Sequence, residues 1–281
     1  MKTLHRLALP LLWIAALAAT PGCAARGAAP STGKAGSMAR FAVKGSYLFA
    51  LSQRRLRVFS LKRGDAPRMV TQFNVPTWMA ETLFVTKNRL FVGSANGMYI
   101  YDVKTPARPR LLGQVLHFNS CDPVVVQGRY AYVTLRSGTR CRRGKNVLQV
   151  YDVSDSQRPR LLASYPMTNP WGLGVDGNLL FVADGRAGLK VFDIRDPRRL
   201  VHLSTHPTIK GYDVIPDKRI LIVSAEDGLY QLDYRTQTLQ YLSRIPIGNP
   251  STPPVKISAP LQMVIVPPPP PPPPRKKIPR R

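Results

Sequence analysis

From Gly97 to Leu112 the chain reads GMYIYDVKTPARPRLL, and from Val147 to Leu162 it reads VLQVYDVSDSQRPRLL. Looser copies follow the same pattern at Leu56–Leu61 (LRVFSL), Leu189–Ile194 (LKVFDI) and Leu229–Tyr234 (LYQLDY). A second landmark, a turn followed by an apolar run, precedes each copy. It starts at Gly45, Lys87, Gly128, Gly177 and Asp217, giving spacings of 42, 41, 49 and 40 residues. Two landmarks in step at one period define a repeat protein, whose units bury their apolar surface against one another.

The second repeat shows the unit best. Leu83–Thr86 reads as a short inner strand a and Arg89–Ala95 as strand b. Asn96-Gly97 is a two-residue hairpin signal, Met98–Val103 is strand c, and a proline-punctuated loop leads to strand d at Arg110–His117. Glycine or proline every 8–12 residues and the lack of a 3.6-residue apolar period argue against helix-pair repeats. Four strands per repeat of this length predict an all-β protein, a β-propeller of about five four-stranded blades. Residues 255–266, VKISAPLQMVIV, place Ile257 42 residues after Ile215. This segment reads either as strands a and b of a degenerate sixth blade or as an extra strand latching the ring.

Asp102, Asp152, Asp193 and Asp233 end strand c in four successive repeats, with Ser60 in that place in the first. Recurrence in four successive blades marks them as turn caps accepting backbone N–H groups, not as catalytic or metal-binding carboxylates. The prolines that follow (Pro106, Pro109, Pro159 and Pro197) fix φ on the approach to an outer strand.

The pattern of an apolar b strand followed by V-Y-D-V-S-D and P-R-L-L resembles the LVIVD-repeat family of exported bacterial proteins. The resemblance covers about residues 38–247. It is close in the second to fourth repeats, weaker in the first (Lys62-Arg63 in place of Ser-Asp) and in the fifth, which lacks Pro-Arg-Leu-Leu. It implies a β-propeller-like surface or periplasmic protein with no assigned reaction.

The ends set the expected compartment. Lys2 and Arg6 precede an apolar run, Leu7–Ala19, too short to span a bilayer, so residues 1–22 read as an export signal. Thr20-Pro21-Gly22-Cys23 resembles a bacterial lipobox, with Cys23 as the lipidated residue and Ala24 favouring the outer membrane. The alternative is a soluble export signal cut near Ala16-Leu17-Ala18. Residues 23–37 form a flexible linker, 38–247 the propeller, and 248–281 a tail with eight consecutive prolines and a basic end. The chain carries a net charge of +26, and +18 remains once Lys2, Arg6, Lys256, Arg275, Lys276, Lys277, Arg280 and Arg281 are set aside. Such charge attracts polyanions such as lipopolysaccharide, acidic glycans or DNA; no nucleic-acid module accompanies it.

Strand alternation gathers the d–a and b–c loops on one face. Cys121 lies in a d–a connection and Cys141 in the b–c loop of the same blade, so a disulfide there is geometrically possible in an oxidising compartment. That lengthened loop, Arg136–Lys145, carries Arg136, Arg140, Arg142 and Arg143. Trp78 and Trp171 fall in d–a loops on the same face, with His117 and His206 at equivalent places in two others. Glu81 and Asp122 begin strand a near the channel mouth. Aromatics, arginines and a concave mouth make this the expected binding face, for an envelope or surface protein partner. No nucleophile elbow, zinc spacing or phosphate loop occurs, so no enzyme, metal or cofactor is expected. A propeller hydrolase would instead draw on Glu81, Asp122, Asp213 and His117.

Overall fold

The computed structural model describes residues 36–63, 66–116, 123–138, 145–236 and 238–247. They form five four-stranded antiparallel sheets, each built from consecutive strands. The first blade holds β1 (Phe41–Lys44), β2 (Tyr47–Ser52), β3 (Arg55–Ser60) and β4 (Arg68–Asn74). The second holds β5 (Ala80–Val85), β6 (Arg89–Ser94), β7 (Gly97–Asp102) and β8 (Arg110–Leu116). The third holds β9 (Val124–Gln127), β10 (Tyr130–Leu135), β11 (Val147–Asp152) and β12 (Arg160–Pro166). The fourth holds β13 (Leu173–Asp176), β14 (Leu179–Ala183), β15 (Leu189–Asp193) and β16 (Val201–His206). The fifth holds β17 (Gly211–Asp217), β18 (Ile220–Ala225), β19 (Gly228–Asp233) and β20 (Gln240–Pro246). This is a five-bladed β-propeller, with the first strand of each blade inside and the fourth outside.

The blades are copies in detail as well as in outline. Every outer pairing shifts register at the same place, at Val58/Phe59, Ile100/Tyr101, Val150/Tyr151, Val191/Phe192 and Gln231/Leu232. A bulge there adds twist to a strand whose outer edge faces water, and so discourages edge-to-edge pairing. Tyr101, Tyr151 and Phe192 accordingly occupy equivalent, buried positions.

Inner hairpins turn on two residues. Gly45, Gly128 and Gly177 take positive φ there (55°, 60° and 57°), a conformation that costs glycine little. In the fifth blade the pairing Asp217↔Ile220 corresponds to Asp176↔Leu179 in the fourth. The counterpart of Gly177 is therefore Lys218, one residue beyond the landmark read from the sequence. Lys218 and Arg219 both take positive φ, 47° and 70°. Two non-glycine residues hold a conformation that the apolar run alone does not reveal.

Apolar side chains point out of both faces of each blade, so each junction is a separate core. Leu90, Ala131, Leu180 and Leu221 face the preceding blade, whereas Phe49, Phe91, Tyr132 and Phe181 face the following one. All eight are at most 1% exposed. Burying each large side chain contributes about 1.5–3 kcal/mol. Polar links support the packing on the opposite rim: Gln127 Nε2 donates to Gly177 O at 2.6 Å, and Tyr234 OH to Asp176 at 2.9 Å. Apolar clusters span the first four junctions in chain order. Among the described residues, none spans the junction between the fifth and first blades.

Replacing Lys218-Arg219 by Asn-Gly supplies the pair that a turn with two positive φ angles favours. We expect urea unfolding to show a gain on the order of 1 kcal/mol, while the same change at Lys104-Thr105, in an outer loop, gives none.

Candidate binding face

The loops joining second to third strands, and those leading from one blade to the next, share one face. The chain enters the first blade from this face, and its first described residues cross the mouth of the central channel. Ser37 is 1% exposed. Its hydroxyl donates to Asp213 Oδ1 (3.0 Å) in the fifth blade and accepts from the Leu173 N–H (2.7 Å) in the fourth. Met38 N–H donates to Asp213 Oδ2 at 3.3 Å, and Ala39 O accepts from Leu83 N–H (2.8 Å) in the second blade. Gly36 admits no side chain, since a Cβ would lie 2.0 Å from Asp213 Oδ2. Gly36 and Ser37 therefore belong to the folded body, although by composition they continue the linker.

Asp213 Oδ1 also accepts from Val214 N–H at 2.9 Å. Burial pushes its pKa up to about 6, against the opposing pull of these hydrogen bonds. Asp213, a carboxylate on which a propeller hydrolase would draw, is thus hydrogen-bonded to the chain's own N-terminal segment.

Beside this plug a row of side chains reaches across four blades. Bulges at the starts of β5 and β17 leave Glu81 and Tyr212 as the extra residues of their strands. Such bulges re-aim side chains at a rim. The Arg136 guanidinium carbon sits 3.5 Å from the centroid of the Trp171 ring, and Trp171 meets Tyr212 edge-on at 5.1 Å and 72°. Trp171 is fixed by its backbone, whose carbonyl accepts from Thr134 Oγ1 (2.5 Å) and whose N–H donates to Ala183 O (2.7 Å). Burial lowers the proton affinity of Arg136, and the charge of Glu81 opposes that shift. The foot of the arginine-rich loop is tied down as well: Asn146 Oδ1 accepts from Ser137 N–H (2.8 Å), and its Nδ2 donates to Thr168 O (2.7 Å). Trp78 stands in the connection between β4 and β5, 53% exposed.

Tyr212 was not singled out in the sequence, yet its register place is that of Glu81, so the repeat alignment carried the signal. His206 departs from its expected loop position. It ends β16 at 3% exposure, hydrogen-bonded through Nε2 to Ser204 Oγ at 3.1 Å, with no partner at Nδ1. Burial lowers its pKa to about 4, and lowers that of His202 as well. Leu189, its strand partner, packs toward the fifth blade, which is why the imidazole is interior.

The four strand-c aspartates each accept the N–H two residues on: Lys104 (2.8 Å), Ser154 (3.0 Å), Arg195 (2.9 Å) and Arg235 (2.8 Å). An arginine from a neighbouring turn or strand reaches each carboxylate, namely Arg110, Arg129, Arg195 and Arg235. Asp152, Asp193 and Asp233 are held below the ordinary carboxylate range, chiefly by these arginine hydrogen bonds. Cys23, His117, Cys121, Asp122, Arg140, Cys141, Arg142 and Arg143 lie outside the described residues, so the expected lipidation site, disulfide and outer loop arginines do too. Among the described residues there is no cluster of His, Cys, Asp and Glu able to hold a metal ion, and no helix long and apolar enough to cross a membrane.

Residues 169–210 match the family model of the LVIVD repeat. They are an LVIVD repeat. The match spans the whole fourth blade, from just before β13 to just after β16. The other blades reproduce this LVIVD unit in strand order, turn position and bulge. The chain matches no curated protein sequence. Its fold resembles those of solved propellers at low identity. Against a periplasmic gluconolactonase from Pseudomonas aeruginosa, PpgL, the TM-score is 0.56 at 16% identity, over 73% of this chain and 68% of that one. A 6-phosphogluconolactonase candidate from Bacteroides fragilis gives 0.59 at 11% identity, over 74% and 69%. The computationally designed Ika8 protein gives 0.55 at 16% identity; 73% of this chain spans 60% of that one.

The buried ionisable groups oppose each other in mild acid. The raised pKa of Asp213 means that the fold binds its proton more tightly than the unfolded chain does, so this group adds stability as pH falls from about 6 toward the unfolded value of about 4. His206, lowered to about 4, removes stability as pH falls below about 6.5. Thermal unfolding between these limits should therefore show a steeper acid loss in Asp213→Asn and a shallower one in His206→Gln.

Proposed function

We propose that this LVIVD-repeat propeller is a non-enzymatic interaction module of the bacterial envelope, exported and held to the outer membrane through a lipid on Cys23. It engages a protein or envelope partner with the loop face that carries Trp78, Arg136, Trp171 and Tyr212. One observation carries the reading. The channel mouth, where a propeller can expose converging polar groups to a small substrate, is filled by residues 36–40 of the chain itself. What is left for a partner is the rim around it: an exposed indole, a second indole covered by a guanidinium, and a half-exposed tyrosine. Aromatic and arginine anchors of this kind carry most of the binding energy in protein interfaces.

A second reading is favoured by the charge. A chain that keeps +18 without those signal and tail charges, and that exposes arginines, draws polyanions, whose affinity comes from released counterions. A third, a lactonase, rests on the descriptions of two structural neighbours whose identity, 11–16%, speaks for the fold alone. It would require the mouth to be open around Glu81 and Asp213.

Crosslinking of the intact envelope, followed by capture of the full chain, separates the first two. The expected result is a partner retained at about 0.2 M salt and weakened roughly thirtyfold in Trp78→Ala/Trp171→Ala. A partner released by that salt and indifferent to the double substitution would favour the polyanion reading instead.

A further inference from the structure

The junction between the fifth and first blades offers a place for one more piece of protein. Phe41 pairs with Ala50 as Leu83 pairs with Val92, Val124 with Val133, Leu173 with Val182 and Val214 with Val223. Those four counterparts are at most 1% exposed; Phe41 is 58% exposed. Leu48, Ala50 and Phe59 share its face and are only half-buried. On the facing blade, Ile245 pairs with Leu229 as Phe73 does with Leu56, Val115 with Met98 and Tyr165 with Leu148. Phe73, Val115 and Tyr165 pack into the next junction, whereas Ile245 is 58% exposed. Ile215, Ile222 and Leu229 beside it are half-buried where Phe49, Phe91, Tyr132 and Phe181 are enclosed. Two apolar faces thus look onto the same seam. Large exposed apolar patches are unusual on a soluble body.

Residues 255–266 have the dimensions to fill it. VKIS, AP and LQMVIV are segments of four, two and six residues. β1, its turn and β2 have those same lengths, and so do β9, its turn and β10. Eight residues (247–254) separate β20 from Val255, against seven between β8 and β9. Under that match Ser258 takes the place of Asp217, 41 residues on, a step within the range of the other repeats. Val264-Ile265-Val266 is apolar at consecutive positions, as a strand covered on both faces requires. The prolines from Pro267 cannot donate to a sheet ladder.

We propose that residues 255–266 form the inner two strands of a sixth, half-length blade, inserted between the fifth blade and the first. Hydrogen exchange of the full chain, read by mass spectrometry beside sedimentation, tests this. In the monomer, amides of 257–266 should exchange on the order of a hundredfold more slowly than in the free peptide of the same sequence. In Ile257→Asp/Val264→Asp that protection should vanish and exchange in β1 and β2 should quicken about tenfold, while β10 and β11, two junctions away, stay unchanged. Free-peptide rates across 257–266 in the wild-type monomer overturn the proposal. So does a dimer whose β1 and β2 lose protection on dilution while 257–266 stays unprotected, because the seam is then covered by a second copy.

Discussion

Each blade of this protein is a thin sheet with two apolar faces, and neither face can be satisfied from within the blade. The covering side chains must come from the blades on either side. This explains why a unit of about forty residues is tied to its copies, and why position within the repeat predicts burial better than residue type does. Leu90, Leu180 and Leu221 are sealed because a neighbour lies against them, while Leu48, at the same register position, is not. The first and last blades inherit the consensus without inheriting two neighbours. Part of the difference is written as polarity: Arg57 stands where the second blade has Tyr99, and Gln231 where other blades have Val58, Ile100, Val150 or Val191. Terminal units of repeat proteins commonly turn polar on their outward side; here the change is incomplete, and isoleucines and phenylalanines remain.

The candidate binding face is assembled from irregularities in an otherwise regular array. Glu81 and Tyr212 reach the mouth because their strands carry an extra residue there, and Arg136 rests on Trp171, which is clamped by two backbone hydrogen bonds. A guanidinium sheltered on an indole sheds part of its hydration beforehand and keeps its charge. Rigid, partly desolvated groups lose little freedom when a partner arrives.

The periodic features were legible in the sequence, because five near-copies average out local noise. The strand-c aspartates read as caps for that reason, and their N–H partners lie two residues away. The features set by long-range contact were not. Ser37 sits in a run of alanine, glycine and serine, and its partner Asp213 is 176 residues distant. Nothing in the local pattern marks it. His206 looked like a loop residue because strand ends blur by a residue or two, and only the packing of the fifth blade draws it inside. The slip of the last inner turn from Asp217 to Lys218 had the same origin: without a glycine, two basic residues at positive φ leave no signature.

The N-terminal segment does more than close a hole. Its hydrogen bonds run to the second, fourth and fifth blades, and its own continuation is the innermost strand of the first. Any tension on the preceding chain is therefore delivered to the hub and shared among several blades, rather than peeling one strand from a rim. A pull on that end would load the second, fourth and fifth blades together with the first.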